Sequence, residues 1–365
     1  MFSGLNEAVR SRLINIVGNP KCQEGFVRHA VFVEPGRVEW REAPDLKLQG
    51  PRQALVRPLV VGRCDLDIAY VRGLMPMPAG APIGHEINGE VVALGDETAG
   101  LEIGQRVFVP AQISCGHCDN CRRGLTGRCL SVPFGASYGM GREGGYGGGL
   151  ADLVRVPYAN AMLTPVPSGV DPASLIGAAD MATDAWRAVA PPLARHPGAR
   201  VLVIGGMPPV IGLYAAGLAT ALGAGVVHYL DEDPVRGRVA KIYGATLIGS
   251  SDEAQRYDVV VVAQVTFAAL ELAFQVASPG GTITSVAPAL DGVPRIDTRT
   301  LYHKGVTWVI GRPDCRHGHD GTLSAWANCG FRPDLVPTLT ASWEEAPEAW
   351  SSDALYVAAV RPSLV

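Results

Sequence analysis

Between residues 200 and 285, short apolar runs alternate with helical stretches, and this alternation constrains the fold more than any other feature. "RVLVIGG" is followed by "VIGLYAAGLATALGA", "VVHYLD" by "DPVRGRVAKIYGA", and "DVVVVA" by "FAALELAFQVA" and "GTITSVA". Strands that are apolar along almost their whole length are buried on both faces, which is typical of parallel sheets covered by helices. The alternation therefore predicts an α/β fold with a doubly wound parallel sheet.

The preceding part of the chain has a different sequence pattern, without the alternation of strands and helices. From about Phe26, strand-like runs such as "HAVFV", "RVEWREA" and "QALVRPLVVG" are separated by turns that contain Gly or Pro, which predicts a β-rich segment. The texture changes near Val170, where "DPASLIGAADMATDAWRAV" predicts one helix that begins at Asp171 and Pro172. From about Val306 the sequence indicates mixed strands and turns. A chain of 365 residues suits two domains rather than one core.

Composition excludes some classes of partner. Hydrophobic residues make up 47% of the chain and charged residues 18%, which is typical of a globular protein. The net charge of −4 provides no basic field for nucleic acid or an anionic membrane. No apolar run reaches the roughly 18 residues of a transmembrane helix.

The first residues lack the pattern of a secretory signal, so we expect the protein in the cytoplasm. The segment has apolar residues at helical spacing, which favours a short amphipathic helix. These residues are Leu5, Val9, Leu13 and Ile16.

The stretch "CGHCDNCRRGLTGRC" holds four cysteines with the spacing C-x2-C-x2-C-x7-C. Four thiolates complete a tetrahedral zinc shell and leave no open position, so such a site is structural. Thiols stay reduced in the cytoplasm, which favours a metal over disulfides. Disulfides and an iron–sulfur cluster remain as alternatives. The predicted ligands are Cys115, Cys118, Cys121 and Cys129.

A dinucleotide site is predicted where the first strand of the parallel sheet meets its helix. Gly206 and Gly212 bracket the turn, but Met207, Pro208 and Pro209 replace the middle of the usual G-x-G-x-x-G pattern. In such folds the pyrophosphate lies at the helix N-terminus. The predicted cofactor contacts are Gly206, Pro209, Val210, Ile211, Gly212, Asp231, Arg236 and Val286.

Asp231 ends the second strand, 25 residues after Gly206, where a carboxylate binds the adenosine ribose. Its charge would repel the 2′-phosphate of NADP and so favours NAD, although Arg236 and Arg238 follow closely and soften that preference. The alternative is that Asp231 only caps the next helix.

Three further stretches carry metal-ligand chemistry: "VVGRCDLD", "APIGHEINGEVVALG" and "AADMATDAW". They contain Cys64, His85 and Asp180, a thiolate, an imidazole and a carboxylate of the kind that holds a catalytic zinc. Spacing alone does not bring them together. Taken singly, they read as a buried thiol, a hydrogen-bonded histidine and a helix residue.

"GHEINGEVVALG", the four-cysteine loop and the doubly wound half together resemble the zinc-dependent medium-chain dehydrogenase/reductase family. "KGVTWVIG" and "EEAPEAW" also match text of that family. The resemblance implies a GroES-like β-rich catalytic domain at residues 26–171 and 309–365, with the structural zinc lobe at about 110–132. It implies a Rossmann domain at residues 172–308 and leaves residues 1–25 as an N-terminal extension.

Residue by residue, the resemblance gives Cys64, His85 and Asp180 as ligands of a catalytic zinc, with Glu86 as a nearby glutamate that can approach the metal. Asp67 matches an aspartate that supports the metal site from outside its ligand shell. The four-cysteine loop matches the structural zinc, which makes two zinc ions per chain.

The chain departs from the family pattern in the proton relay. Leu66 stands where the family has a relay hydroxyl, Ala69 where some members have a relay histidine, and Asp184 where a threonine is usual. We therefore hypothesise that Asp184 replaces the relay as a base, the alternatives being water and Glu86. Leu66 also favours a bulkier, more apolar substrate than a simple sugar. The glycine-rich segment 135–149 is expected to be a mobile loop that shapes the pocket.

The implied function is a zinc-dependent, NAD-linked alcohol or polyol dehydrogenase that interconverts a secondary alcohol, a small-molecule substrate, and its carbonyl compound by hydride transfer. The implied assembly is a homodimer or homotetramer. An NADPH-dependent reductase acting on C=C, C=N or C=O bonds is an alternative. A non-catalytic NAD(H)-binding sensor is an alternative from another class. Cys22, Cys315 and Cys329 fit no pattern and are interpreted as ordinary thiols.

Overall fold

The computed structural model describes residues 26–140, 145–249, 255–292 and 296–362. The N-terminal extension, its expected amphipathic helix and Cys22 lie outside these residues. The strands are β1 (Phe26–Glu34), β2 (Arg37–Pro44), β3 (Ala54–Gly62), β4 (Glu86–Leu94), β5 (Arg106–Val109), β6 (Val154–Val156), β7 (Thr164–Pro165), β8 (Arg200–Ile204), β9 (Val226–Leu230), β10 (Thr246–Leu247), β11 (Tyr257–Val262), β12 (Ala277–Ser285), β13 (Thr307–Ile310), β14 (Thr338–Ser342) and β15 (Tyr356–Val360).

The α-helices before residue 172 are short, and most of those after it are longer. They are α1 (Asp65–Val71), α2 (Asp119–Arg122), α3 (Ala159–Met162), α4 (Met181–Arg195), α5 (Pro209–Ala221), α6 (Pro234–Ile242), α7 (Phe267–Val276), α8 (Thr298–Lys304), α9 (Cys315–Cys329) and α10 (Ala346–Trp350). In the part of the chain that the structure describes, 3₁₀ turns occupy Thr126–Arg128, Pro172–Leu175 and Pro333–Leu335. Within the described residues, no helix has the length and apolar character needed to cross a membrane.

The predicted parallel sheet is confirmed. Its strands lie in the order β10-β9-β8-β11-β12-β13, and every neighbouring pair is parallel. This is the 3-2-1-4-5-6 order of the Rossmann fold, with β8 as its first strand. The central strands β8 and β11 are almost wholly buried because helices cover both faces of the sheet. The loops after their carboxyl ends are therefore where a ligand is expected.

The β-rich part forms a second sheet of seven strands in the order β14-β15-β3-β4-β5-β7, with β6 paired to β3. The chain leaves this sheet after β7, builds the parallel sheet, and returns to it with β14 and β15. This mixed sheet followed by a Rossmann sheet confirms the predicted fold class. The parallel sheet includes β13, which ends at Ile310, two residues beyond the boundary predicted at 308.

The single helix predicted from Asp171 is wrong. A 3₁₀ turn over Pro172–Leu175 ends before Gly177, whose φ of +86° breaks the helical path, and α4 begins at Met181. The break leaves Asp180 at the N-cap of α4 instead of inside a helix. Its side chain is therefore free of the helix surface and can face the other domain.

The expectation of mixed strands and turns after Val306 misses helix α9. The sequence "CRHGHDGTLSAWANC" hides the helix because glycine, histidine and aspartate interrupt its apolar spacing. Those glycines let α9 approach α4 closely: a Cβ on Gly318 would lie 2.9 Å from Thr183, and one on Gly321 would lie 2.3 Å from Trp186.

The described part of the glycine-rich segment packs against Gly84, next to His85, and its mobility remains a prediction. Gly139 donates a backbone hydrogen bond to Gly147, and Gly149 donates one to Gly84. A Cβ on Gly139 would lie 2.1 Å from the Gly84 oxygen, so only glycine allows this approach. Residues 141–144 lie outside the described ranges.

His319 of α9 links the two domains and gives a prediction about stability. It is fully buried; its Nε2 is 2.9 Å from the Ala179 oxygen and its Nδ1 is 2.8 Å from the Thr164 hydroxyl. Burial lowers the pKa of His319 to about 4, below the value near 6.5 of an unfolded histidine. Between these values the unfolded chain binds a proton that the folded chain does not, so stability falls as the pH decreases from about 6.5 to about 4.

Stability depends on pH partly through protonation of His319 in the unfolded chain. We expect His319→Gln to remove this contribution, up to about 1.4 kcal/mol per pH unit, from the slope of the unfolding free energy against pH. Urea unfolding at several pH values between 4 and 7 measures the slope. The exposed His303→Gln is the matched control and should leave the slope unchanged. An unaltered slope in His319→Gln would show that this histidine takes up its proton in the folded state.

Candidate active site and metal centres

Cys64, His85 and Asp180 come together at the boundary between the two sheets. Cys64 follows β3 and caps α1, and His85 precedes β4. Strands β3 and β4 are antiparallel neighbours, with Gly62 opposite Glu86, so their ends place Cys64 beside His85. Asp180 joins them from the N-cap of α4. The ligand atoms of the three residues all lie within 4.8 Å of one another.

These three residues fit a zinc ion. All three are buried, and His85 Nε2 lies 3.4 Å from Asp180 Oδ2. Neither ring nitrogen of His85 has a hydrogen-bond partner within the described residues, which is costly for a buried imidazole. A thiolate, an imidazole and a carboxylate are established zinc donors, and three protein ligands leave a fourth position open.

Asp67 supports two of the candidate ligands. Its Oδ2 accepts the backbone N–H of Cys64 at 3.1 Å, and its Oδ1 lies 3.7 Å from His85 Nδ1. A carboxylate behind a metal-binding histidine fixes the orientation of the ring and makes it more basic. The structure therefore places Asp67 where the resemblance implies it.

The protonation of the cluster reflects its burial. Desolvation and then the carboxylates of Asp180, Asp65 and Asp67 raise the pKa of the Cys64 thiol. Burial opposes the charged form of His85, but Asp67 and Asp180 outweigh it and raise the pKa of His85 to about 9. Burial likewise opposes ionisation of Asp180, but His85 and Cys315 keep its pKa below the ordinary value. A divalent cation among these groups would displace the protons, because metals bind deprotonated ligands.

Cys315 is a functional candidate that the sequence did not reveal. Its buried thiol donates to Asp180 Oδ1 at 3.0 Å, so its interpretation as an ordinary thiol is wrong. The thiol reaches the site because α9 begins at Cys315 and packs on α4, a contact with no signature in the spacing of cysteines. Cys329, at the other end of α9, is exposed.

Glu86 lies directly after His85 and is held by Tyr356. The Tyr356 hydroxyl donates to Glu86 Oε1, and Gly62 leaves room for this pair, since a Cβ there would lie 2.5 Å from the hydroxyl. Burial raises the pKa of Glu86 to about 8. A cavity of about 10 Å³, enough for one water, adjoins Glu86 and Asn88.

The four clustered cysteines form a second candidate metal centre. Their sulfurs lie within 4.8 Å of one another, and those of Cys118 and Cys129 are 3.9 Å apart. Tetrahedral zinc with bonds of about 2.3 Å would separate its sulfurs by roughly 3.8 Å. All four cysteines are free, so the disulfide alternative is not seen. Backbone N–H groups of Cys118, Leu130 and Ser131 point at the sulfurs and stabilise thiolates.

A cavity of about 650 Å³ leads from the Cys64–His85–Asp180 cluster to the carboxyl ends of β8, β11, β12 and β13. Its wall is predominantly apolar and includes Leu66. This side chain has no hydroxyl group, so it cannot take part in a proton relay. Other large apolar side chains of the wall include Leu74, Met75, Met140, Met207, Ile211, Val265, Val286, Leu290 and Ile310.

Asp184 lines this cavity, but an arginine holds its carboxylate. Arg187 Nε donates to Asp184 Oδ1 at 2.5 Å and its Nη2 donates to the Gly311 oxygen at 2.8 Å. Burial raises the pKa of Asp184 to about 6, with Arg187 opposing the increase. The group is placed to exchange a proton with the cavity, and its role as a base remains a prediction.

At the start of α5, where the sequence predicts the pyrophosphate-binding site, the backbone N–H groups are occupied by Asp65, a residue of the other domain. The backbone N–H groups of Val210 and Ile211 both donate to Asp65 Oδ2, each at 3.0 Å. Asp65 is 2% exposed, and burial raises its pKa to about 7. The sequence signal was present, since an acidic residue follows Cys64, but only the fold brings it to this helix.

Three other predicted cofactor contacts, Gly206, Asp231 and Arg236, also lie against other residues of the chain. Arg236 donates to both oxygens of Asp231 at 2.7 Å, the Tyr229 hydroxyl adds a third bond, and the Asp231 side chain is 2% exposed. A Cβ on Gly206 would lie 2.1 Å from Gln264. Arg236 thus neutralises the charge from which the preference for NAD was argued.

A nicotinamide dinucleotide therefore does not fit this groove as it stands. Its nicotinamide end has room in the cavity beside the metal ligands, where Val286 lies. Its phosphates would meet the Asp65 carboxylate.

Comparison with known proteins places this geometry among zinc-type dehydrogenases. The family model described as the alcohol dehydrogenase GroES-like domain matches residues 50–168. Glutathione-independent formaldehyde dehydrogenase of Pseudomonas aeruginosa is 36% identical over 234 residues, 60% of this chain and 57% of that protein. The chain thus spans little more than half the length of that relative.

Zinc-type alcohol dehydrogenase B of Aspergillus flavus is 29% identical over 348 residues, 88% of this chain and 78% of that protein. Among solved structures, alcohol dehydrogenase from Thermus sp. ATN1 has a TM-score of 0.82 and 30% identity, over 92% of this chain and all of that one. The shared fold, the sequence identity and the matched GroES-like domain agree: the chain belongs to the zinc-type medium-chain dehydrogenase/reductase family.

Proposed function

We propose that this protein is a zinc-dependent oxidoreductase of the alcohol dehydrogenase type, which interconverts an apolar alcohol and its carbonyl compound. One observation carries the proposal: Cys64, His85 and Asp180 converge at the base of an apolar cavity, at the carboxyl ends of the parallel strands. Family membership supports zinc and a nicotinamide dinucleotide as the cofactors. The names of its relatives, alcohol and formaldehyde dehydrogenases, support the reaction class.

The residues of the chain divide the work at this site. Cys64, His85 and Asp180 would hold the zinc, which supplies a Lewis acid that polarises the oxygen of the substrate. Asp67 orients His85, and Cys315 orients Asp180 through the hydrogen bond to Oδ1. The apolar wall excludes water, which strengthens every charge interaction in the cavity.

The proton of the alcohol needs an acceptor that Leu66 and Ala69 do not provide. Asp184 lies in the cavity wall with a carboxyl group whose pKa is raised to about 6, so it is ionised at neutral pH and can accept a proton. The Arg187 ion pair keeps Asp184 in place. Glu86, buried and bonded to Tyr356, is the competing route.

The cavity wall indicates the substrate class. A volume of about 650 Å³ with leucine, methionine and isoleucine side chains suits a bulky apolar secondary alcohol better than a polyol, whose hydroxyls would lack partners. We therefore favour the alcohol part of the original alcohol-or-polyol prediction.

The cofactor preference and the assembly remain predictions. Pairing of Asp231 with Arg236 weakens the argument for NAD and supports the NADPH-dependent reductase as a second candidate. The three converging metal ligands speak against a non-catalytic sensor, which would not need a catalytic zinc. Exposed Val309 on the edge strand β13 is compatible with the predicted homodimer or homotetramer.

Zinc content tests the proposal. Protein purified without added metal or chelator should contain two zinc ions per chain, and Cys64→Ala should contain one and lose turnover of an apolar secondary alcohol. Cys329→Ala, an exposed cysteine outside both centres, should match the unaltered protein. Atomic emission measures the metal. One zinc per chain in both the unaltered protein and Cys64→Ala would contradict the catalytic metal site.

The contact of Cys315 with Asp180 gives a second prediction. Cys315→Ser keeps a donor to Asp180 Oδ1 and should retain the zinc, whereas Cys315→Val leaves that carboxylate oxygen without its donor. We expect Cys315→Val to weaken zinc retention at this site by about 10- to 100-fold, measured by competition with a chelator. Cys329→Val, at the exposed end of the same helix, is the control. Equal zinc affinity in Cys315→Val and Cys315→Ser would limit Cys315 to packing.

The base role of Asp184 gives a third prediction. Loss of the carboxylate in Asp184→Asn should lower the rate of alcohol oxidation and remove the limb of its pH–rate profile near pH 6, since activity depends on the ionised group. The pH dependence of kcat for the two proteins measures this. The exposed Asp320→Asn serves as a control. An identical profile in Asp184→Asn would exclude Asp184 from the proton path and favour Glu86 or water.

A further inference from the structure

Asp65 makes a contact that crosses from one domain to the other. It is the first residue of α1, directly after Cys64, and its carboxylate lies at the first turn of α5 in the parallel-sheet domain. One oxygen accepts from both Val210 and Ile211 at 3.0 Å, and the other lies 3.3 Å from the Val210 nitrogen. The carboxylate is buried and caps this 13-residue helix.

The groups that Asp65 occupies are those a dinucleotide needs. Helix N-termini bind phosphate because their first N–H groups are unpaired and the helix dipole favours an anion. Pro208 and Pro209 have no N–H, so Val210 and Ile211 supply the first two donors of α5. The carboxyl group of Asp65 already accepts from both.

Of the surrounding cations, Arg63 attracts the Asp65 carboxylate, but its guanidinium donates to the carbonyl oxygens of Trp350, Ser352 and Ala354 and does not line the cavity. The arginines at the groove have partners within the chain: Arg236 donates to Asp231, Arg187 to Asp184 and Arg312 to Ser137. A diphosphate entering the groove would therefore meet Asp65 while both N–H donors remain engaged. Like charges placed side by side in a buried site are strongly unfavourable.

We propose that Asp65 is a built-in competitor for the diphosphate of the cofactor, so that a dinucleotide binds only when this carboxylate leaves Val210 and Ile211. The inference rests on the proposed function, because it concerns the cofactor of that same site. Two consequences follow. The affinity for free dinucleotide is low, and binding breaks an interdomain contact beside the metal ligand Cys64.

Binding measurements on the zinc-loaded, full-length protein test this directly. Asp65→Asn removes the charge and keeps an acceptor for the two N–H groups, so the fold is retained, whereas Asp65→Gly removes the competitor altogether. The matched control is Asp297→Asn, because Asp297 caps α8 by accepting from Arg299 and Thr300 in the same way, outside the groove. The probes are NADH, ADP-ribose and adenosine, measured by calorimetry.

We expect both Asp65 variants to bind NADH and ADP-ribose about tenfold or more tightly than the unaltered protein, with Asp65→Gly at least as tight as Asp65→Asn. Adenosine, which has no phosphate, should gain nothing, and Asp297→Asn should bind all three probes as the unaltered protein does. Equal or weaker NADH binding in both Asp65 variants would overturn the proposal. An equal gain for adenosine would also overturn it, since the effect would then not involve phosphate.

The affinity ratios do not depend on turnover, so this inference and the proposed function fail separately. Protein that lacks the second zinc and turns over no alcohol contradicts the proposed function. If the Asp65 variants and the unaltered protein bind NADH with equal affinity, the role of Asp65 is contradicted, whatever the zinc content and the activity.

Discussion

The burial of acidic groups around His85 is the constraint on which the rest of the structure depends. Cys64, Asp67, Asp180 and His85 lie together beneath an apolar cavity, where isolated charges are strongly unfavourable. Their mutual contacts satisfy part of this demand, but within the described residues both nitrogens of His85 and Asp67 Oδ1 have no hydrogen-bond partner. A divalent cation bound by Cys64, His85 and Asp180 would offset these buried charges, which is the physical reason for proposing zinc at this site.

The second metal centre is connected to this site through the segment that follows β13. Arg128 of the cysteine lobe pairs with Asp314 at 2.7 Å, and Gly127 donates to the same carboxylate at 2.8 Å. The next residue is Cys315, which bonds to Asp180. The cysteine lobe thus contacts the start of α9, the helix whose first residue bonds to the candidate zinc ligand Asp180.

The boundary between the domains holds both the candidate metal ligands and the contact of Asp65 with α5. The metal ligands require the β-rich domain and α4 to stay close, and Asp65 adds a bond from α1 to α5 across the same boundary. In a Rossmann fold, a helix N-terminus that lacks its anion is an open binding site. Here a carboxylate adjacent to a metal ligand supplies that anion. Events at the phosphate seat are consequently linked to the position of Cys64.

The sequence by itself determined the class of fold and the two sets of metal-ligand chemistry. Apolar runs alternating with helices specify a parallel sheet because burial on both faces leaves little choice of pattern, and four cysteines within fifteen residues lie close whatever the remaining chain does. Tertiary structure alone decided the meeting of Asp180 with Cys315, the break at Gly177, and the contact of Asp65 with Val210. Asp180 and Cys315 are 135 residues apart in the sequence, and Asp65 and Val210 are 145 apart. A bond between such distant residues depends on the packing of whole elements. The spacing of residues along the chain does not predict that packing, so only the fold shows that Asp65 occupies the N–H groups at the predicted cofactor site.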